Sequence, residues 1–232
     1  LLVHSSVWTI LVRKDKIGFI ITHFRVNGEP VLQIFDNPTD CLIRTILSQS
    51  TTDANRDNAF RSFKNRYSDL SSVVSDDIDR IAETIRVSGI AKKKASAIQE
   101  VLKWCKQTFD EYSLDNISSW DDEKITSELI KINGIGYKTI AILLCFSLGR
   151  DVFPVDVHVH RIITRLGITR KSLSPDKVYF LINPFVPFGK DHFLHVQLVK
   201  FGRERCRSQN PLCVDCPFSQ LCDYNLNKND WA

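Results

Sequence analysis

Cys206, Cys213, Cys216 and Cys222 follow one another as C-x6-C-x2-C-x5-C, four thiols within seventeen residues. Deprotonated, four such sulfurs can surround a soft metal centre, and little else accounts for so tight a cluster. Zinc and an iron–sulfur cluster both accept an all-cysteine ligand set, so spacing alone leaves the metal open. The other three of the seven cysteines, Cys41, Cys105 and Cys145, stand singly in apolar, helix-patterned segments. A free thiol in such a setting packs as a small hydrophobe. A chain of 232 residues with regular helical patterning and no secretory leader pattern is a poor match for a disulfide framework. An intracellular protein is expected.

Hydrophobic residues make up 43% of the chain and charged ones 25%, enough for a real core in one large domain or two small ones. The net charge of +4 suits a polyanionic partner without demanding one. The longest apolar run, Ile140 to Leu148, is about half the roughly 20 residues that a membrane span needs, so no membrane association is expected.

Apolar periodicity predicts consecutive helices between about residues 39 and 149. The first covers Asp40 to Ser48 and the second runs from Thr52-Asp53 to about Arg66. A third is capped by Ser75-Asp76-Asp77 and ended by Gly89. Ala91 to Thr108 forms a fourth, with Ile98, Val101, Leu102 and Cys105 on one face and Lys92, Lys93 and Lys94 in its first turn. Ser119 is the expected cap of a fifth, and a sixth runs from Tyr137 to Leu148. Beyond Gly149, helices are expected at Asp156 to Leu166, from Ser174-Pro175-Asp176 through Ile182, and at Phe193 to Phe201. Val7 to Phe35 fits either a helix broken at Gly18 or β-hairpins turning at Asn27-Gly28. The fold class is all-α.

Three short segments carry the chemistry. Gly134-Ile135-Gly136 joins two amphipathic helices; it is either a plain turn or a place where backbone comes close to a ligand. The helix after it offers unpaired N–H groups and a positive dipole end, a natural seat for phosphate. Lys138 falls in the first turn of that helix, where the dipole disfavours a cation and so favours a usable amine nucleophile; the alternative is a solvated surface lysine. Asp156, eighteen residues later in Phe153-Pro154-Val155-Asp156-Val157-His158, reads as an N-cap, a functional acid, or both. His158 and His160 fall on different helix faces, which argues against a shared metal and for structural or DNA-adjacent roles. Arg203, Arg205 and Arg207 flank the first clustered cysteine, either as a solvated helix end or as phosphate partners.

With these residues in place, Leu129 to Thr139 resembles the helix-hairpin-helix of the base-excision DNA glycosylases, the HhH-GPD superfamily. Val155-Asp156-Val157-His158 with Arg161 resembles that family's following loop and catalytic aspartate. The cysteine spacing is similar to that of the endonuclease III branch and its [4Fe-4S] cluster. Ile46 to Asp53 and Ser88 to Lys94 also resemble that branch, so the likeness covers roughly residues 38 to 224. The resemblance implies a six-helix barrel over residues 33–150 and a cluster-bearing helical domain built from residues 1–32 and 151–232. It implies a [4Fe-4S] cluster, with zinc as the alternative, on Cys206, Cys213, Cys216 and Cys222. It implies catalytic roles for Lys138 and Asp156, facing each other across a DNA-binding cleft, and DNA contacts from Gly134, Gly136, Tyr137, Gln49, Ser50, Ile90 and His158. The partner would be double-stranded DNA carrying a damaged base or an abasic site, bound by a monomer.

Lysine at 138, with tyrosine one place earlier, favours a bifunctional glycosylase and AP lyase acting on oxidised pyrimidines. In the mismatch-specific branches the equivalent position is usually Tyr or Ser. The alternatives are a mismatch thymine/uracil or 5-methylcytosine glycosylase on the same scaffold, and a non-catalytic DNA-binding module. The chain departs from the family pattern where Ser50 aligns with the gap-filling glutamine while Gln49 sits one residue early. Ile90 takes the place of a wedge that is commonly Leu, and Val157 that of a polar residue.

Overall fold

A computed structural model describes residues 2–26, 28, 35 and 37–227, with side chains from residue 13 onward. All elements among the described residues are helical, as the sequence pattern predicts. They fall into two compact units, one formed by Gln33–Arg150 and the other by Leu1–Leu32 with Asp151–Ala232.

Within Gln33–Arg150 the elements are α2 (Pro38–Leu47), α3 (Asp53–Arg66), α4 (Ser71–Ser75), α5 (Ile78–Thr84), α6 (Ala91–Phe109), α7 (Asp122–Leu129) and α8 (Tyr137–Phe146). Of these, α2, α3, α5 and α7 start at side-chain caps. Asn37 accepts from the amide of Asp40 at 2.8 Å, and Thr52 from that of Asn55 at 3.2 Å. Each such cap is worth about 1 kcal/mol. The cap of α7 is Asp121, which accepts from the Lys124 amide at 2.7 Å, and not Ser119. Residues Asp115–Ser119 form a 3₁₀ turn of their own, with the Ser119 hydroxyl donating back to the Asn116 carbonyl.

The core of this unit gathers Leu42, Ile43, Ile46 and Leu47 of α2, Phe63 of α3, Ile98, Val101 and Leu102 of α6, and Ile140, Leu143 and Leu144 of α8. All are essentially inaccessible to water, and each contributes on the order of 1.5–3 kcal/mol relative to exposure. α2 packs on α3, α6 and α8, so the turn after α2 is carried on a rigid base.

The other unit comprises α1 (Leu2–Arg25), α9 (Val157–Arg165), α10 (Pro175–Ile182), α11 (Asp191–Glu204) and α12 (Asp223–Leu226). α1 runs unbroken through Gly18, which settles the choice left open by the sequence for residues 7–25. Asn27, the first residue of the expected hairpin turn, lies outside the described residues. Ile17, Ile20, Ile21 and Phe24 pack with Val159, Ile162 and Ile163 of α9 and with Leu194 and Leu198 of α11. Phe24, Phe201 and Phe218 meet edge to face at 5.2 to 5.8 Å, the arrangement that aligns ring edges with π faces.

Candidate active site

α7, the Gly134–Gly136 connection and α8 make a helix-hairpin-helix. The two glycines differ. Gly134 has φ +90°, and a Cβ there would stand 2.9 Å from the Ala97 Cβ of α6. Gly136 caps α8 in extended backbone at φ −116°, and a Cβ there meets nothing within 4 Å. Only Gly134 is required by the fold itself.

Tyr137 and Lys138 are the first two residues of α8, and both are half-buried. The Lys138 Nζ lies 3.4 Å from the Ser48 hydroxyl, which donates its own proton to the Thr45 carbonyl at 2.7 Å. Ser48 therefore receives the lysine on an oxygen lone pair. The neighbouring Gln49 amide donates to the Gly134 carbonyl at 3.2 Å. Thus the turn after α2 and the hairpin are joined at two points, around Lys138.

Ser50 and Ile90 are exposed and adopt left-handed backbone, at φ 51° and 41°. For a β-branched residue this conformation is unusual, and such positions store about 1–3 kcal/mol of strain. Ile90 directly precedes α6 with its side chain 52% exposed, so burial offers little compensation.

In the other unit, Asp156 caps α9. Its Oδ1 accepts from the amides of His158 at 2.9 Å and Val159 at 2.8 Å. Among the described residues Oδ2 takes no hydrogen bond. The half-buried His158 ring has its Nδ1 3.1 Å from the Arg161 Nη2. Burial is the main cause holding this imidazole below its ordinary pKa. His160 is bonded through Nε2 to the Leu173 carbonyl.

Two arginines hold the segment entering the cysteine run: Arg161, which the sequence brings in only as part of the family resemblance, and Arg165, which sequence reading passes over. Arg161 donates to the carbonyls of Cys206 and Gly202, both at 2.9 Å. One turn further along α9, Arg165 donates to the carbonyls of Arg207 at 2.7 Å and Ser208 at 3.0 Å. Its guanidinium also lies 4.4 Å from the Tyr224 ring centre. Their i, i+4 spacing was the available signal. Arg205 and Arg207 donate to the carbonyls of Asp215 and Glu204. Arg203 is exposed.

The expectation of a [4Fe-4S] cluster, or of zinc, on Cys206, Cys213, Cys216 and Cys222 is overturned. Among the described residues no group of three or more His, Cys, Asp or Glu is placed to hold a metal ion. The four cysteines do line one cavity, together with Arg165, Arg205 and Tyr224. Two of their sulfurs, however, are engaged by the protein. Cys222 donates to the Arg165 carbonyl at 3.2 Å, and Arg165 donates to the Cys206 sulfur at 3.5 Å. Burial pushes the Cys216 and Cys222 thiols up.

The model of the HhH-GPD superfamily of base excision DNA repair proteins matches residues 43–187, so the chain belongs to that superfamily. The endonuclease III of Sulfolobus acidocaldarius is 31% identical, over 80% of this chain and 82% of that protein. A putative DNA glycosylase of Arabidopsis thaliana is 32% identical over 76% of this chain, which spans 58% of the plant protein's length. A solved structure of endonuclease III trapped as a covalent intermediate with DNA superposes with a TM-score of 0.79. It is 24% identical and covers 93% of this chain and 98% of that one. Within the superfamily the chain falls in the endonuclease-III-like branch. Among the described residues no helix is long and apolar enough to cross a membrane.

Proposed function

We propose that the chain is a bifunctional DNA glycosylase and AP lyase that removes oxidised pyrimidines from double-stranded DNA. The observation that carries this reading is Lys138. It is an amine in the first turn of the helix leaving a glycine hairpin, held by Ser48 beside the turn that bears Gln49 and Ser50.

In this reading the amides of the Gly134–Gly136 hairpin hold a backbone phosphate and fix register without reading sequence. The damaged nucleotide is extruded from the stack, because its C1′ is unreachable inside the duplex. Ile90, exposed on a strained backbone, fills the space it leaves, and Gln49 and Ser50 face the orphaned base. The neutral Lys138 amine attacks C1′, the glycosidic bond breaks, and the base departs with the bonding pair and takes up a proton. Asp156 stabilises the positive charge that develops on the sugar through Oδ2, Oδ1 being engaged in capping α9. Loss of the ring oxygen bond and of a proton from nitrogen gives a Schiff base. Removal of a proton from C2′ then expels the 3′ phosphate and cuts the strand. The helices of residues 33–150 are proposed to close as a six-helix barrel that carries this machinery.

Borohydride reduction of the Schiff base tests the reading. Wild-type protein mixed with duplexes bearing an oxidised pyrimidine or an abasic site should be trapped covalently, and Lys138→Ala should not. No trapping by wild-type protein on either duplex refutes the lyase. Release of thymine from a G·T mismatch, or of 5-methylcytosine, without strand scission would move the assignment to a monofunctional glycosylase.

A further inference from the structure

Lys94 stands in the first turn of α6 with 1% of its surface exposed, on the same buried face as Ile98, Val101, Leu102 and Cys105. Among the described residues no carboxylate pairs with it. Its partners are two backbone carbonyls: Nζ donates to that of Leu47 at 2.9 Å and to that of Ser88 at 2.7 Å. Leu47 is the last residue of α2, and Ser88 the last residue of the 3₁₀ turn Arg86–Ser88. Carbonyls at helix ends lack intrahelical donors and carry partial negative charge, so an ammonium suits them.

An ammonium is an expensive way to fill an apolar position, since burial penalises its charge and lowers its pKa to about 8. A methionine of similar length would fill the space without that penalty. What only the ammonium supplies is one nitrogen that binds the ends of two separate elements. Each of those ends leads, two or three residues on, into left-handed non-glycine backbone: Leu47 into Ser50, and Ser88 into Ile90.

We infer that Lys94 is a positioning residue for damage recognition, a buried tie that holds the Gln49–Ser50 turn and Ile90 in register with each other. It touches no substrate. It acts through the two carbonyls, keeping the strained turns from relaxing to lower-energy conformations. The inference rests on the glycosylase reading above and adds to it the residue that sets recognition apart from bond breaking. Recognition and extrusion of a paired base require both turns in place, whereas strand cleavage at a ready-made abasic site requires chiefly Lys138. Loss of the tie should therefore separate the two steps.

The test compares Lys94→Met with the wild-type full chain under single-turnover conditions on two duplexes, one carrying thymine glycol and one an abasic site. Displacement by about 1 Å can cost up to ~100-fold in rate, so base removal should fall between about ten- and a hundred-fold, with abasic cleavage within about threefold of wild type. An unchanged ratio of the two rates, including an equal fall in both, overturns the inference, because a merely structural lysine gives that result. If Lys94→Met does not fold, Lys94→Gln is read on the same ratio; it keeps donors on a shorter stem that cannot span both carbonyls. A drop of about threefold or more in its ratio supports the tie, on the same positional argument, and an unchanged ratio overturns it. Wild-type protein that forms no borohydride adduct on either duplex overturns the lyase reading and this inference with it. Adduct formation with an unchanged ratio overturns the inference alone.

Discussion

The two hairpin glycines, two residues apart, should respond in opposite ways to the same added methyl group. In Gly134→Ala the backbone must stay at φ +90°, which for an L-residue costs roughly 1–2 kcal/mol. The new Cβ also arrives 2.9 Å from the Ala97 Cβ, a contact with no flexible end to move aside, and overpacking of this kind costs about 1–3 kcal/mol. Together the two effects predict a loss of about 2–5 kcal/mol. Gly136→Ala meets neither obstacle: φ is −116°, and the space around the new methyl is open. It should leave stability within about 1 kcal/mol of wild type, or raise it slightly by restricting the unfolded chain. Urea unfolding followed by tryptophan fluorescence measures both, since Trp104 and Trp120 lie in the same unit as the hairpin. With a urea slope of about 1–3 kcal/mol per molar, the Gly134→Ala midpoint should fall by roughly 0.7 M or more. A double-mutant cycle with Ala97→Gly isolates the steric part, which should emerge as a favourable coupling. The reasoning is refuted if Gly134→Ala costs under about 1 kcal/mol, or if Gly136→Ala costs as much as Gly134→Ala. On the proposed function, Gly136→Ala should still weaken duplex binding, because its methyl points where a phosphate would approach.

Asp156→Asn keeps an N-cap of equal quality, so its urea midpoint should match wild type while single-turnover base removal falls by about 10²-fold or more. Asp156→Ala should lose about 1 kcal/mol as well as activity; full activity in either variant removes Asp156 from the chemistry. Ile90→Gly relieves left-handed strain at a half-exposed position, so denaturation should show unchanged or higher stability, by about 1 kcal/mol, alongside slower excision. Burial, and then the Asp151 carboxylate beside it, pushes the Asp191 carboxyl up from 3.8 to about 7. Between those values the folded state holds a proton that the unfolded state has lost, so this group's contribution falls as pH rises from about 4 to about 7 and is flat above. Urea midpoints over that range should fall less steeply in Asp191→Asn than in wild type, and parallel profiles would refute the assignment.

The helices were legible where local chemistry decides them. Thr52 before α3 and Ser174-Pro175 before α10 start helices as the sequence suggests, because a cap and a proline act within one turn. Ser119 misled, because two capping side chains stand two residues apart and the choice between Ser119 and Asp121 depends on the preceding 3₁₀ turn. Gly18 suggested a break in α1, but packing of Ile17, Ile20 and Ile21 into the core outweighs a weak local propensity. In the sequence Lys94 is one of three lysines in the first turn of a helix. Its spacing of four from Ile98 puts it on the buried stripe, and only the tertiary structure reveals what the amine binds. The cysteine run misled for a related reason. Spacing says which sulfurs can approach one another, but not that the protein itself bonds two of them, Cys206 taking a hydrogen bond from Arg165 and Cys222 giving one to the Arg165 carbonyl.

The two arginines of α9 have a mechanical consequence. Positions four apart are separated by about 6 Å along a helix axis. A single point of attachment would leave α9 free to pivot about it. Two, at Arg161 and Arg165, gripping four carbonyls between Gly202 and Ser208, act as a pair of dowels that remove both swivel and tilt. The residue whose bearing is thereby fixed is the one at the head of the same rod, Asp156. Cutting or swelling the stretch from 202 to 208 should therefore be felt as a misaimed carboxylate at the far end of α9, well before the unit itself comes apart.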